Sequence, residues 1–251
     1  EGAAVVIASR SESAVAEAVQ ALKQAGARAV GMACDVGNLA EVQALADLAL
    51  RTYGALDLWV NNAAVSPAYG PTASVPPEAF AAAVQTNILG TYHGSIVALR
   101  HFVPRRQGKL INLLGMGDNR NAPFQSAYAS SKAWANRFTQ GLAKEYEGSG
   151  VGIFALNPGL MLTDLVLRPE VLRGWEERIK PLATVLRMWG NPPEVPAEKA
   201  VWLASAATDG KTGLILRQLT PGRMLAGLLR DRLARRPDVK LDPRVVDGVE
   251  L

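Results

Sequence analysis

The sequence predicts an α/β protein in which a doubly wound parallel sheet lies between two layers of helices, a three-layer architecture. Strand-like runs of buried-type residues alternate along the chain with helical segments of roughly 12 to 16 residues. This alternation is typical of right-handed β-α-β crossovers, which cover both faces of a parallel sheet with helices. At 251 residues the chain is long enough for a full core, and we interpret residues 1–251 as a single domain.

The first part of the chain carries clear start and stop signals for this alternation. Asn38 and Glu41 resemble a capping box that begins a helix, and Gly54 follows Tyr53 as its end. Gly26 closes the preceding helix in the same way. The predicted elements are strands over 2–8, 28–34 and 56–61, and helices over about 12–25 and 38–53.

The remainder continues the pattern and ends in two less regular segments. The predicted elements are helices over 77–103, 124–146 and 197–206, and strands over 109–114, 151–156 and, as the last strand, 213–219. Residues 164–190 are apolar and irregular, and we interpret them either as a lid over the substrate or as a pair of helices packed on the core. Residues 222–251 form a C-terminal extension, in which 222–236 predict a basic amphipathic helix. That helix either docks on its own domain or a sister subunit, or binds a membrane surface or a partner.

Composition narrows the class of protein. A hydrophobic content of 49% and a charged content of 20% predict a soluble globular protein, and no apolar run approaches the roughly 20 residues of a membrane span. The single cysteine, Cys34, excludes an internal disulfide framework and favours a cytoplasmic location. His93 and His101 are too few for a histidine-rich metal site, and we expect no metal.

The charge of the chain is mildly basic, with a net charge of +4 and a pI near 9.3. Its basic residues are scattered until the C-terminal segment, so a phosphate-bearing cofactor explains the charge better than nucleic acid does. We therefore expect no nucleic-acid partner.

Tyr128 and Lys132 are the first candidates for catalysis. They lie four residues apart in a predicted helix and therefore face the same way. A free phenol has a pKa of about 10, too high for efficient proton transfer at neutral pH. A cation about 4 Å away, at an effective dielectric constant near 20, contributes roughly 4 kcal/mol, which corresponds to about three pKa units. We therefore expect Lys132 to acidify Tyr128.

Three further motifs accompany this pair in a fixed order. Asn61-Asn62-Ala63-Ala64 ends one predicted strand, Asn87 lies in a helix, and Asn157-Pro158-Gly159 ends another strand. Together with Tyr128 and Lys132, they resemble the short-chain dehydrogenase/reductase family over about residues 2–220. The resemblance implies a Rossmann-like fold, a nicotinamide cofactor, and a homodimer or homotetramer that pairs through the helices at 77–103 and 124–146.

The resemblance also implies roles for individual residues. Tyr128 would exchange the proton with the substrate oxygen, Lys132 would lower the pKa of Tyr128 and hold the nicotinamide ribose, and the backbone of Asn87 would hold a water in a proton relay. The residues expected to bind the cofactor are Asp35 with Val36 at the adenine, Asn61 and Ala63 at the adenine ribose, Tyr128 and Lys132 at the nicotinamide ribose, and Pro158, Gly159 and Thr163 at the nicotinamide end.

Ser9 and Arg10 indicate which nicotinamide cofactor is used. They follow the first predicted strand of this chain, where dinucleotide folds place an acidic residue for the ribose 2′-hydroxyl or an arginine for a 2′-phosphate. No acid stands at this point, and a guanidinium offers a forked donor to a phosphate. The sequence therefore favours NADP(H) over NAD(H).

Two departures from the family pattern qualify the resemblance. The family begins with a strand and a glycine-rich turn that are absent here, so we expect a sheet that lacks its first βα unit. Either the chain is truncated, or another copy or chain supplies that unit. The second departure is Gly115, which stands thirteen residues before Tyr128 where the family has a serine that orients the substrate oxygen. The Gly115 or Met116 amide, Ser126 or a water could replace that hydroxyl, or the substrate could need no such donor.

The leading hypothesis is an NADP(H)-dependent oxidoreductase that moves hydride between nicotinamide and the carbonyl or alcohol of a small, apolar substrate. The alternative is a catalytically impaired regulatory or scaffold protein that binds nucleotide on the same fold. Gly115 and the absent glycine-rich turn motivate this alternative.

Overall fold

Parallel strands form the framework of the protein. The computed structural model describes residues 2–234, 237 and 239–249. Its strands are β1 (Ala4–Ser9), β2 (Arg28–Ala33), β3 (Leu58–Asn61), β4 (Lys109–Leu113), β5 (Gly152–Asn157), β6 (Glu170–Leu172), β7 (Ile215–Arg217) and β8 (Arg244–Val246). All of the ladders that join these strands are parallel, as the alternating pattern predicts.

Helices separate most of these strands. They are α1 (Glu12–Gln24), α2 (Leu39–Tyr53), α3 (Pro77–Ala83), α4 (Gly90–Arg105), α5 (Ser126–Glu145), α6 (Asp164–Leu167), α7 (Glu176–Trp189), α8 (Glu194–Ala204) and α9 (Pro221–Leu233). Helix α8 begins three residues earlier than predicted, because Pro196 occupies its first turn, where a proline is tolerated.

The start and stop signals of α2 act largely as predicted. The Asn38 side chain accepts a hydrogen bond from the Ala40 amide, and Gly54 ends the helix in the left-handed conformation with φ 74°. Glu41 departs from the capping-box pattern, since its carboxylate accepts from the Asp35 amide and the Asn38 side-chain amide. Glu41 thereby fastens the turn after β2 to the start of α2.

The long helix predicted over 77–103 has a π-helical turn in its middle. Helices α3 and α4 are joined by the π-helical segment Val84–Leu89, so the rod continues from Pro77 to Arg105 with a wider turn around Asn87. A π turn shifts the backbone hydrogen bonds by one residue and is frequent at functional sites. The periodicity of apolar residues did not indicate it.

The main sheet is divided into two hydrogen-bonded pieces. Strands β1 and β2 pair with each other, and a second piece has the order β3-β4-β5-β7. No ladder joins the pieces within the part of the chain that the structure describes. Strand β3 leaves Leu58 and Val60 exposed.

A small third sheet lies outside the predicted elements. Strands β6 and β8 pair in parallel, and Tyr69 bridges to Val171 of β6. Residues 164–190, predicted as a lid, therefore contain two helices and a strand, and the C-terminal extension returns to pair with that strand. The prediction that the strand at 213–219 is the last one is wrong, because β8 follows it. The sequence did not indicate β8, since a strand of three residues is too short to give a recognisable pattern.

A buried polar network lies beside the apolar core. The Asn61 side-chain amide donates to Asn112 Oδ1 at 2.8 Å, and Asn112 Nδ2 donates to Thr139 Oγ1 at 2.9 Å. Trp59 Nε1 donates in turn to Asn61 Oδ1 at 2.8 Å. Because an unpaired amide in such a place is unfavourable, these bonds hold β3, β4 and α5 in one relative position.

No helix of the described residues is both long and apolar enough to cross a membrane.

Thr139→Val should destabilise the fold by about 1–3 kcal/mol, because the valine leaves the buried amide of Asn112 without an acceptor. Urea unfolding measures the free energy of unfolding, and Thr52→Val is the matched control on the exposed face of α2, with an expected change within about 0.5 kcal/mol. Equal effects of the two substitutions would contradict a structural role for the network.

Candidate active site

The Tyr128–Lys132 pair lies at the carboxyl end of β4, on the face of α5 that turns toward the sheet. The Lys132 ammonium donates to the Leu113 carbonyl at 3.0 Å and lies 5.6 Å from the centre of the Tyr128 ring. The Tyr128 hydroxyl packs directly against Gly115. Phenol and ammonium therefore share one face of the helix, as their spacing predicts.

Burial, and not the neighbouring cation, dominates the pKa values of this pair. Burial raises the pKa of Tyr128 to about 12 and lowers the pKa of Lys132 to about 8. The acidification expected of Tyr128 is not found. Lys132 directs its charge at the Leu113 carbonyl, and both side chains lose the water that would stabilise their charged forms. Tyr128 is thus a phenol that retains its proton at neutral pH.

Gly115 gives Tyr128 its position. A Cβ atom at residue 115 would overlap the Tyr128 hydroxyl oxygen, so the space beside Gly115 is filled by the phenol itself. The Gly115 carbonyl accepts from Asn157 Nδ2 at 3.1 Å, which ties the end of β4 to the end of β5. Ser126, one candidate substitute for the missing serine, is exposed, and its hydroxyl oxygen accepts from Thr72. Met116 is also exposed.

Asn87 links three segments of the site through its side chain. Its Oδ1 accepts from the Val65 amide at 2.8 Å, and its Nδ2 donates to the Val65 carbonyl at 2.9 Å and to Ser131 Oγ at 3.0 Å. Asn87 is 1% exposed and lies in the π-helical turn. Its backbone carbonyl accepts from the Thr91 hydroxyl, so one of its two lone-pair positions is taken. Through its side-chain amide, Asn87 joins the segment after β3 to α5.

The Asn157-Pro158-Gly159 turn lies beside Gly115. The Gly159 amide donates to Asn157 Oδ1 at 2.9 Å, and Gly159 adopts φ 71°, which favours glycine. Thr163 follows in the same loop and begins α6, where its carbonyl accepts from the Val166 and Leu167 amides. Because glycine has no side chain, a ligand can approach the backbone of Gly159 closely at the edge where β4 and β5 end.

Asp35 and Val36 occupy the turn after β2. Asp35 Oδ1 accepts from the Gly37 amide at 2.8 Å, which is a local turn interaction. Val36 packs against Gly90 of α4, and its carbonyl lies 3.0 Å from His93 Nδ1. The pair is thus attached to the helix that continues from the Asn87 turn.

Asn61 and Ala63 lie at the end of β3. The Asn61 side chain is committed to the buried network with Asn112, so it is not free to contact a ligand. A contact of this turn with the adenine ribose stays a prediction.

Ser9 and Arg10 lie at the carboxyl end of β1. Ser9 Oγ donates to the Ser11 carbonyl, and Arg10 is exposed. Among the residues that the structure describes, Arg10 makes no hydrogen bond or ion pair, so its guanidinium can receive an anionic group. The predicted site residues thus follow the carboxyl ends of the parallel strands β1 to β5. In α/β proteins of this kind, ligands bind at the carboxyl ends of the strands.

A small cavity lies beside Tyr128, and the sequence did not indicate most of the residues that line it. It is lined by Pro67, Val75, Phe80, Phe124, Gln125 and Tyr128, among others. Phe124 has φ 67°, which is uncommon for an aromatic residue, and the Gly70 amide donates to its carbonyl at 3.0 Å. Its ring packs against Trp175 of the lid at 4.8 Å and Tyr69 at 5.6 Å. No local signal predicts a left-handed phenylalanine; only its tertiary contacts reveal it.

Comparison with known proteins identifies the family. The model of the short chain dehydrogenase family matches residues 1–169. The 3beta-hydroxysteroid dehydrogenase 1 of Eggerthella lenta is 34% identical over 222 residues, which cover 86% of this chain and 82% of that protein. The chain therefore belongs to the short-chain dehydrogenase family, whose named members here are oxidoreductases.

Solved structures agree with this assignment. A gluconate 5-dehydrogenase from Burkholderia cenocepacia, in complex with NADP and tartrate, has a TM-score of 0.75 at 26% identity and covers 90% of this chain and 86% of its own. A 3-ketoacyl-(acyl-carrier-protein) reductase from Brucella melitensis, complexed with NADH, has a TM-score of 0.76 at 26% identity, with 89% and 88% covered. The fold is therefore Rossmann-like α/β, as predicted.

Lys132→Met should change stability in a pH-dependent way. Because the pKa of Lys132 falls from 10.5 in the unfolded chain to about 8 in the fold, only the folded state loses this proton between those pH values. Wild-type stability therefore rises relative to the variant from pH 7 to pH 10, by on the order of 2–3 kcal/mol.

Urea unfolding of both proteins at the two pH values measures this difference. Lys144→Met, on the exposed side of the same helix, is the control and should show no such divergence. Parallel pH profiles for wild type and Lys132→Met would contradict a buried, proton-releasing lysine.

Proposed function

We propose that this protein is an NADP(H)-dependent oxidoreductase that interconverts a carbonyl and an alcohol on a small, apolar substrate, with Tyr128 as the proton donor or acceptor. The observation that carries the proposal is the placement of the Tyr128 hydroxyl at the carboxyl end of β4, within one helical turn of Lys132 and at the wall of a cavity. The nicotinamide cofactor supplies or accepts the hydride when bound.

The raised pKa of Tyr128 favours its role as a proton donor. A phenol with a pKa of about 12 holds its proton at neutral pH and releases it to an oxygen that gains negative charge, as a carbonyl oxygen does on reduction. Lys132, one helical turn along, is an ammonium at neutral pH and donates to the Leu113 carbonyl. Asn87 positions α5 through Ser131.

The residues present fit a nicotinamide dinucleotide at both ends. Gly159 has no side chain that would keep the nicotinamide from the backbone of the turn proposed for it. Pro158 and Thr163 lie in the same loop. Asp35, Val36, Asn61 and Ala63 would contact the adenosine half. Arg10, with Ser9 beside it, would receive the 2′-phosphate of NADP(H). The similar structures with NADP and with NADH support a nicotinamide cofactor of either kind.

Aromatic residues beside Tyr128 support an apolar substrate. Phe80 and Phe124 line the small cavity with Tyr128, and Trp175 packs on Phe124, so an apolar carbonyl or alcohol suits this surface. The similar Eggerthella lenta protein is named for a hydroxysteroid, an apolar alcohol. Gly115 contributes no hydroxyl, so Tyr128 would be the principal hydrogen-bond donor to the substrate oxygen.

We further propose that residues 1–251 act as one catalytic domain within a homodimer or homotetramer in a cytoplasmic setting. Tyr92 of α4 is exposed, and Phe138 of α5 lies beside it with ring centres 6.2 Å apart. These helices are the ones through which the family resemblance implies pairing.

Gly115 also supports a second candidate function, that of a regulatory or scaffold protein that binds nucleotide without efficient turnover. Loss of one substrate-oxygen donor lowers the rate on the order of 10²- to 10³-fold in comparable oxyanion sites. Nucleotide binding without turnover on a broad panel of substrates would favour this function.

Tyr128→Phe should reduce turnover about 10²- to 10⁴-fold, because phenylalanine has no proton to exchange. NADPH consumption against a panel of ketones, aldehydes and quinones measures the effect. Tyr146→Phe, at the end of the same helix, is the control and should leave the rate unchanged. Activity that survives Tyr128→Phe would remove the assigned proton donor.

Arg10→Ala should weaken NADPH binding about 10- to 100-fold while NADH binding changes little, because only NADPH has the phosphate that the charged side chain would bind. Fluorescence titration with each nucleotide measures both constants. Arg28→Ala, an exposed arginine at the start of the neighbouring strand, is the matched control. Equal losses for the two nucleotides would refute the 2′-phosphate role.

A further inference from the structure

Helix α9 is held against the lid in a defined orientation. The Arg187 guanidinium of α7 forms two hydrogen bonds with the Asp231 carboxylate, at 2.9 and 3.0 Å, and both side chains are largely buried. Trp189 Nε1 donates to the Met224 carbonyl at 3.0 Å, and Gly227 is packed so closely on the Trp189 ring that a Cβ atom would overlap it. The inward face of the helix is therefore fixed.

The opposite face of α9 presents leucines to solvent. Leu225, Leu229 and Leu233 are 59%, 51% and 87% exposed and follow one another at intervals of four residues. Leu228 is exposed beside them. Because residues four apart lie on one side of a helix, these side chains form a continuous apolar stripe.

Positive charge accompanies this stripe. Arg223, Arg230 and Arg232 are exposed on the same helix, while its single acid, Asp231, faces inward to Arg187. Arg230 and Arg223 each donate one hydrogen bond to a backbone carbonyl, of Met188 and Gln218, and retain further donors. Arg232 therefore lies beside the leucines on the outward face, while Arg223 and Arg230 flank the inward face, and this helix has no carboxylate among its exposed residues.

We propose that this face of α9, formed by Leu225, Leu228, Leu229, Leu233 and Arg232, docks on the surface of an anionic lipid bilayer. Leucines enter the boundary between headgroups and acyl chains, and arginines contact lipid phosphates, which is how basic amphipathic helices bind membranes. A second copy that paired through the same face would bring two basic helices together, so charge favours the anionic surface. The helix lies on the membrane and does not span it.

Flotation of the full chain with vesicles tests the proposal and requires no catalytic activity. Binding to vesicles of phosphatidylglycerol and phosphatidylcholine should exceed binding to pure phosphatidylcholine at least 10-fold and should weaken as salt rises. The variant Leu225→Gln/Leu229→Gln should lose at least 10-fold in binding. Leu39→Gln, an exposed leucine at the start of α2, should bind as wild type does.

Three outcomes would overturn the proposal. Wild type could fail to float with anionic vesicles, or the double variant could bind as well as wild type while circular dichroism shows that both are folded. Sedimentation could instead show a wild-type oligomer that the double variant dissociates, which would assign the face to a second copy of this chain. Because none of these measurements involves nucleotide, they are independent of the proposed reductase activity.

Discussion

The side-chain amide of Asn87 is the interaction on which the candidate site depends. Through three hydrogen bonds it attaches the segment after β3 to the π-helical turn and to α5, the helix that carries Tyr128 and Lys132. A buried amide with all of these partners is stabilising, but it is unfavourable if any partner is lost. The Asn61–Asn112–Thr139 network does the same for β3, β4 and α5 beneath it.

Desolvation determines the pKa values of the Tyr128–Lys132 pair. The cation beside the phenol favours the ionised tyrosine, but the same packing that brings the two groups together removes water from both. The outcome is a tyrosine with a raised pKa and a lysine with a lowered one, each caused by burial. Gly115 is part of this arrangement, because the absence of a side chain there allows the phenol to lie against the backbone.

The lid and the C-terminal extension form a second unit around the cavity. Strand β8 pairs with β6, Tyr69 bridges to β6, and Phe124 packs between Tyr69 and Trp175. These contacts join the end of the chain to the wall of the cavity beside Tyr128. Exposed ion pairs such as Arg173–Asp247 accompany them, but they contribute little compared with the backbone ladder and the aromatic packing.

The alternation of apolar runs with capped helices was enough to determine the class of fold, and the order of Asn61, Asn87, Tyr128, Lys132 and Asn157 was enough to indicate the family. Periodicity, capping and the order of motifs can all be read from the sequence without knowledge of tertiary contacts. The π-helical turn, the left-handed Phe124, the β6–β8 ladder and the direction of the Tyr128 pKa shift were decided by tertiary structure alone. Each depends on partners distant in sequence or on the exclusion of water, which no local pattern records.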